Sequence, residues 1–155
     1  AFPQYENIWS RHTFWGGPAE YRLWLEQDKR IIAHLGFAKR DIKVGNDEVV
    51  ITGIGAVATH PDLQERGVGK HLFAELRKTL LEQFPVDFAF LECREAVIGF
   101  YEKAGFTLYR QTTYCFHPGK QAWIYDEGAK MVMPIGKPLE MWNANGLIDL
   151  RGMPW

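Results

Sequence analysis

Cysteine is scarce: Cys93 and Cys115 are the only two in 155 residues, and neither belongs to a CxxC pair or a Cys/His cluster with zinc-ligand spacing. A disulfide framework and a structural metal are thereby excluded, and a reducing, cytoplasmic setting is expected. No apolar run reaches the roughly 18 residues that span a bilayer, and no charged-then-apolar leader opens the chain. Charge of one sign is lacking too, since 18 Lys and Arg face 19 Asp and Glu for a net charge of -1. That balance speaks against nucleic acid or an anionic membrane as partner. There is no internal repeat and no low-complexity linker. What is present, 46% hydrophobic residues, suffices for one sizeable core. Residues 1–155 therefore read as a single domain whose partner is a small molecule or peptide.

Residues 1–20 are rich in aromatics (Phe2, Tyr5, Trp9, Phe14, Trp15) and end in the breaker Gly16-Gly17-Pro18, which fits a short helix or loop. Three apolar stretches follow, Tyr21 to Glu26, Ile31 to Ile42 and Val49 to Thr59, separated by Gln27-Asp28-Lys29 and Gly45-Asn46-Asp47, and they predict three consecutive antiparallel strands. Beyond Gly67 the period becomes helical, with Val68, Leu72, Leu76 and Leu80 on one stripe, Phe73 and Leu81 beside it, and Pro85 as the stop. Phe88 to Cys93 is almost wholly apolar, as a strand covered on both faces should be. A short helix over about Ala96 to Ala104 capped by Gly105, a strand from Phe106 to Tyr109 and a last one from Lys130 to Ile135 complete the pattern. The tail from Gly136 has no strong period. The expected class is α/β (α+β), with a mixed central sheet of about six strands flanked by helices.

A strand, a glycine-bearing turn and a helix start, in that order, form an anion site, because the first helical N–H groups lack partners and the helix dipole adds positive potential. Gly67 and Gly69 allow close backbone approach, and Arg66 and Lys70 bring charge. A P-loop would need Gly at 64 and Ser or Thr at 71, where Gln64 and His71 stand, and a dinucleotide GxGxxG fails at Leu72.

Gln64-Glu65-Arg66-Gly67-Val68-Gly69 does resemble, at every defined position, the Q/R-x-x-G-x-G/A turn of the GNAT N-acetyltransferase superfamily, and His60-Pro61-Asp62-Leu63 resembles its lead-in. Gly99-Phe100-Tyr101-Glu102-Lys103-Ala104-Gly105-Phe106 resembles the superfamily's second signature, a helix bearing a tyrosine. The resemblance implies the GNAT fold, acetyl-CoA as cosubstrate and no metal. It implies backbone contacts to the pantetheine arm from Val57, Ala58 and Thr59, and contacts to the pyrophosphate from Gln64 and from Arg66, Gly67, Val68, Gly69 and Lys70. It makes Tyr101 the general acid for the departing thiolate, for which a phenol is chemically suited. The asparagine many relatives carry before this helix has no counterpart in Cys93-Arg94-Glu95-Ala96-Val97. Relatives also carry a strand and a helix ahead of the region where this chain begins, so an N-terminal strand and helix are expected to be missing, through a shortened chain or an incomplete one.

Asp126-Glu127-Gly128, the strand ending in Pro134-Ile135 and Trp155 resemble the end of the aminoglycoside 2'-N-acetyltransferases, and Pro134-Ile135-Gly136-Lys137-Pro138 with Gly146-Leu147-Ile148-Asp149 resembles the NodA-like acyltransferases of amino sugars. These resemblances imply a primary amine as acceptor, an amino sugar or aminoglycoside, held by Asp126 and the carboxylate of Trp155. Trp15 is a further candidate for the acceptor wall. The base is open: the strand Thr52-Gly53-Ile54-Gly55-Ala56-Val57 carries no carboxylate where relatives place a Glu. Glu92 is the first candidate, then His60, His34 and Glu48. That missing carboxylate keeps a second reading alive, a CoA-binding module without catalysis. A homodimer is an open alternative to a monomer.

Overall fold

The computed structural model describes residues 16–155; the aromatic segment before them, Trp15 included, lies outside the described residues. Among these residues nine strands form one sheet: β1 (Tyr21–Gln27), β2 (Arg30–Val44), β3 (Asp47–Thr59), β4 (Phe88–Cys93), β5 (Thr107–Tyr109), β6 (Thr113–His117), β7 (Ala122–Asp126), β8 (Ala129–Pro134) and β9 (Ile148–Asp149). Two helices, α1 (Val68–Gln83) and α2 (Ile98–Lys103), complete the frame. The sheet runs β5-β8-β4-β3-β2-β9-β6-β7, with β1 also paired to β2. Only the β3–β4 and β6–β9 junctions are parallel.

The class and the first three strands agree with the expectation, but nine strands replace six. The additional ones are β6, β7 and β9. In β6 and β7 the outward positions hold Tyr114, Phe116, Trp123 and Tyr125, so apolar residues occupy both faces and the period of two is blurred. Two-residue β9 has no pattern at all and exists because Ile148 lies between Val44 and Thr113 of its neighbours. Of the two residues expected beside the α1 stripe, Phe73 is buried and Leu81 is exposed; Leu72, Leu76 and Leu80 are, with Phe73, the side chains that α1 buries. The second helix begins as a 3-10 turn over Glu95–Val97 before α2 proper, and Gly105, at φ 100°, ends it in the left-handed conformation.

Alternation along the strands divides the core in two. Ala89, Leu91 and Met131 face α1 and α2 with Phe73, Leu76 and Tyr101. Phe88, Phe90 and Val132 face the other way, against Trp142, Cys115 and Leu150. The tail that sequence left without a period is fastened here by Gln111. Its amide accepts from Trp142 Nε1 at 2.7 Å and donates to the carbonyls of Asn143 and Gly146 at 2.8 and 2.7 Å.

Candidate active site

β3 and β4 pair only over Ile51–Gly53 and Phe88–Phe90, after which the two parallel strands separate. The cause is local to β3. Its register with β2 slips between His34 and Gly36, and Ala56 takes φ 52°, a left-handed value that marks a bulge. A bulge bends its strand and increases the twist. His34 braces it, Nδ1 donating to the Ala56 carbonyl at 3.1 Å while Nε2 accepts from Arg22 at 3.2 Å. Both ring nitrogens of this candidate base are thus engaged.

The gap between the separated strands opens into a cavity of about 1250 Å³ lined from both faces of the sheet. On the helical face its wall includes Val57, Thr59, Gln64, Gly67, Gly69, Lys70 and Tyr101, with Ala58 between the first two along β3. On the opposite face it includes Gly36, Gly55, Glu92 and Trp155. Seven of the nine residues expected from sequence to contact the donor are therefore brought together with Tyr101; Arg66 and Val68 belong to the same turn but not to the wall.

The turn is built from left-handed residues. Glu65 has φ 62° and Gly67, the N-cap of α1, has φ 80°. Gln64 Nε2 donates back to the Thr59 carbonyl at 3.3 Å, tying the turn to the end of β3. His60 accepts from the Asp62 amide and caps the lead-in, an exposed supporting position. The two glycines differ in purpose. A Cβ on Gly67 would meet open space, so backbone conformation demands that glycine; a Cβ on Gly69 would lie 2.6 Å from the Phe100 ring, so packing of α2 on α1 demands the other.

Tyr101 packs edge-on against Phe73 and Phe106 and is 9% exposed. Burial, with a smaller contribution from Cys93, holds its phenol well above the ordinary tyrosine value. It therefore stays protonated, with a hydrogen available to donate, while outright transfer of its proton becomes harder. Cys93 beside it is also pushed up, chiefly by burial, which favours the neutral thiol over a nucleophilic thiolate.

Across the sheet, Trp155 lies flat on β3. A Cβ on Gly53 would meet its ring at 2.1 Å, and one on Gly55 would meet its backbone at 2.8 Å. Arg40 fixes this arrangement, donating to the carbonyls of Leu150 and Met153 at 3.2 and 2.7 Å, with its guanidinium carbon 3.9 Å from the Trp155 ring centre. Sequence reasoning missed Arg40 and the two glycines because the contact joins residues about 100 positions apart. Asp126 is elsewhere: it lies at the end of β7 outside the cavity wall, bound to Lys130 Nζ at 2.6 Å. Glu92, the first candidate base, does line the cavity, 3.2 Å from that same Lys130. Glu48, the last candidate, is paired with Arg151 at 2.6 Å, away from the wall.

A family model, Nodulation protein A (NodA), matches residues 6–154. The chain belongs to the NodA family. It is 28% identical to nodulation protein A of Rhizobium sp. (strain N33) over 150 residues, covering 90% of this chain and 75% of that protein. Among solved structures it is similar to the GNAT family N-acetyltransferase YhbS of Escherichia coli in complex with CoA, at a TM-score of 0.59 and 20% identity, covering 85% and 67% of the two chains. It is also similar to a GCN5-related N-acetyltransferase of Kribbella flavida, with a TM-score of 0.52 and 19% identity over 59% of this chain, which spans 23% of that one. This NodA-family protein is accordingly an acyltransferase with the GNAT fold. Among its described residues no helix is long and apolar enough to cross a membrane.

Proposed function

We propose that the protein transfers an acyl group, acetyl or longer, from a CoA thioester to the primary amine of an amino sugar. The observation that carries this reading is the parting of β3 and β4 directly above the glycine turn, which leaves a cavity reaching from an anion-binding helix start to Tyr101 and on to Glu92. A pyrophosphate on the amides after Gly67, with Lys70 beside it, would leave the thioester between the strands. Resemblance of this fold to YhbS, a CoA complex, supports the same placement.

The chemistry balances without a covalent enzyme intermediate. The amine nitrogen attacks the thioester carbon, the C–N bond forms and the C–S bond breaks. Glu92 takes the amine proton, directly or through one water. The departing sulfur accepts a hydrogen bond from Tyr101, which burial keeps neutral. Strand amides beside the gap, where β3 and β4 no longer pair with each other, are suited to the developing oxyanion.

On the acceptor side the wall carries the Glu92 carboxylate, whose Oε1 faces Lys130, and the buried Trp155 Nε1, which has no hydrogen-bond partner among the described residues. A carboxylate accepts and an indole N–H donates, which suits a ligand carrying an amine and a hydroxyl or carbonyl together. An amino sugar has both, and membership of the NodA family favours that acceptor class.

The test is turnover. Free thiol is followed while the protein is mixed with acetyl-CoA or longer acyl-CoA and with glucosamine, short glucosamine oligomers, an aminoglycoside, a polyamine and an amino acid. Thiol release that depends on an amino sugar supports the proposal; release only with the polyamine or amino acid removes the acceptor, and none with any pair removes the reaction.

A further inference from the structure

Lys130 is the least expected residue in the sheet. It lies in the apolar strand Ala129-Lys130-Met131-Val132-Met133-Pro134 and is 0% exposed. A buried ammonium loses its hydration, so a lysine survives there only with partners that return the lost energy; a methionine of like volume would otherwise suit the position better. Lys130 has two, and they are unequal. Asp126 Oδ1 accepts a hydrogen bond from it at 2.6 Å and is itself fixed by the Gly128 amide at 3.0 Å. Glu92 Oε1 is 3.2 Å away in an arrangement that makes no hydrogen bond. Burial works against ionisation of Asp126, yet the bonds from Lys130 and Gly128 outweigh it and hold Asp126 below the usual carboxylate range.

We propose that Lys130 is a positioning residue, anchored by Asp126, that sets the Glu92 carboxylate at the cleft as the proton acceptor of the reaction. This rests on the function proposed above. It gives Asp126 a place behind the site as the counter-ion of Lys130, in exchange for the direct contact with the acceptor that resemblance implied.

The geometry favours the proposal in two ways. β4 and β8 pair Glu92 directly with Lys130, so the ammonium stands beside the carboxylate on the same face of the sheet. Because Asp126 holds the shorter bond, Lys130 supplies Glu92 with a nearby positive charge that faces Oε1, so the carboxylate is held from one side and its other oxygen is the one to accept a proton. The other groups facing this trio are Cys93 on β4 and Cys115 on β6, with His117 acting on Asp126. Burial pushes the Cys115 thiol up to about 11, so both thiols are neutral near neutral pH.

Replacement by methionine alone leaves two carboxylates without their cation and invites misfolding, so the informative variant is D126N/K130M, which keeps the formal charge of the trio at -1. Its expected effects are a roughly tenfold lower kcat with the acceptor KM and CoA affinity within about twofold of the parent, because a carboxylate without its anchored neighbour keeps its place in the cleft less strictly. Independently of turnover, the carbon NMR signal of the Glu92 carboxylate at fixed neutral pH should move when the ammonium 3.2 Å away is removed. K130R keeps the cation and should hold both kcat and the signal near those of the parent. An unmoved Glu92 signal in D126N/K130M overturns the proposal whether or not the enzyme turns over. A parent without turnover, combined with a moved Glu92 signal, instead sinks the proposed reaction and leaves the Lys130–Glu92 link standing. Full activity in E92Q overturns the proposal by removing the base that Lys130 is said to position.

Discussion

The two faces of the parted sheet are built on different plans. On the helical face, the end of β3, the glycine turn and the start of α1 are continuous in sequence, and α2 follows after one strand. Short-range rules decide that geometry: left-handed values at Glu65 and Gly67, a helix start, and Phe100 seated on Gly69. On the other face, Trp155 rests on Gly53, Arg40 holds the tail through Leu150 and Met153, and Glu92 stands beside Lys130. No segment of ten residues contains that side of the site. One face is therefore a portable motif for the donor, while the other is a tertiary assembly whose composition is open to change with the acceptor.

This contrast explains what was legible. The class, the first three strands, α1 and the residues from Val57 to Lys70 follow from period and motif, and they are also where the cavity wall lies. Strands β6, β7 and β9 were hidden, because aromatic residues fill the outward positions of two and partners alone define the third. Asp126 reads equally well as a ligand or as a turn; only the folded chain shows Lys130 taking its carboxylate. One signal was available, a lysine at the start of an otherwise apolar strand, since a charge placed there needs a partner. Nothing comparable marks Arg40, an ordinary basic residue on a strand until Trp155 is brought onto it.

The sharpest way to break the comparison is chemical. Tyr101→Phe removes the hydrogen bond to the departing sulfur, and kcat should fall by about 100-fold, as loss of one donor to developing negative charge typically does, with CoA affinity within about twofold. A variant that turns over normally would reduce the helical face to a binding surface. Next in size is the opposite face. Gly53→Ala places a Cβ 2.1 Å from the Trp155 ring and must expel it, so KM for the acceptor should rise by about tenfold or more while CoA binding, read by calorimetry, is unaffected. Equal losses for donor and acceptor would mean that the two faces are not independent.

Smaller effects refine the division. Gln111→Leu strands Trp142 Nε1 and two carbonyls, and chemical denaturation should show a loss of about 2 kcal/mol, with the tail-bearing face destabilised first. Lys70→Ala should weaken CoA by about fivefold, the cost of one charged contact to phosphate, and reduce the salt dependence of binding without moving the acceptor KM. A salt dependence equal to that of the parent would place the phosphates elsewhere on the turn.

The smallest effect tests how well the helical face is sealed. Burial raises the Tyr101 phenol above its unfolded value of about 10. Below that pH both states keep the proton and the stability of the fold is fully present. Above it the unfolded chain releases the proton while the folded chain retains it, so rising pH favours unfolding. The melting temperature should therefore decline between about pH 10 and 11, and Tyr101→Phe should decline by a few degrees less. Tyr109, also raised chiefly by burial, remains in both proteins and cancels in the difference. Parallel declines would show that water reaches the phenol. In that case Tyr101 would be an ordinary titrating tyrosine at the cleft, and the proton it offers the sulfur would be one that bulk water could supply equally well.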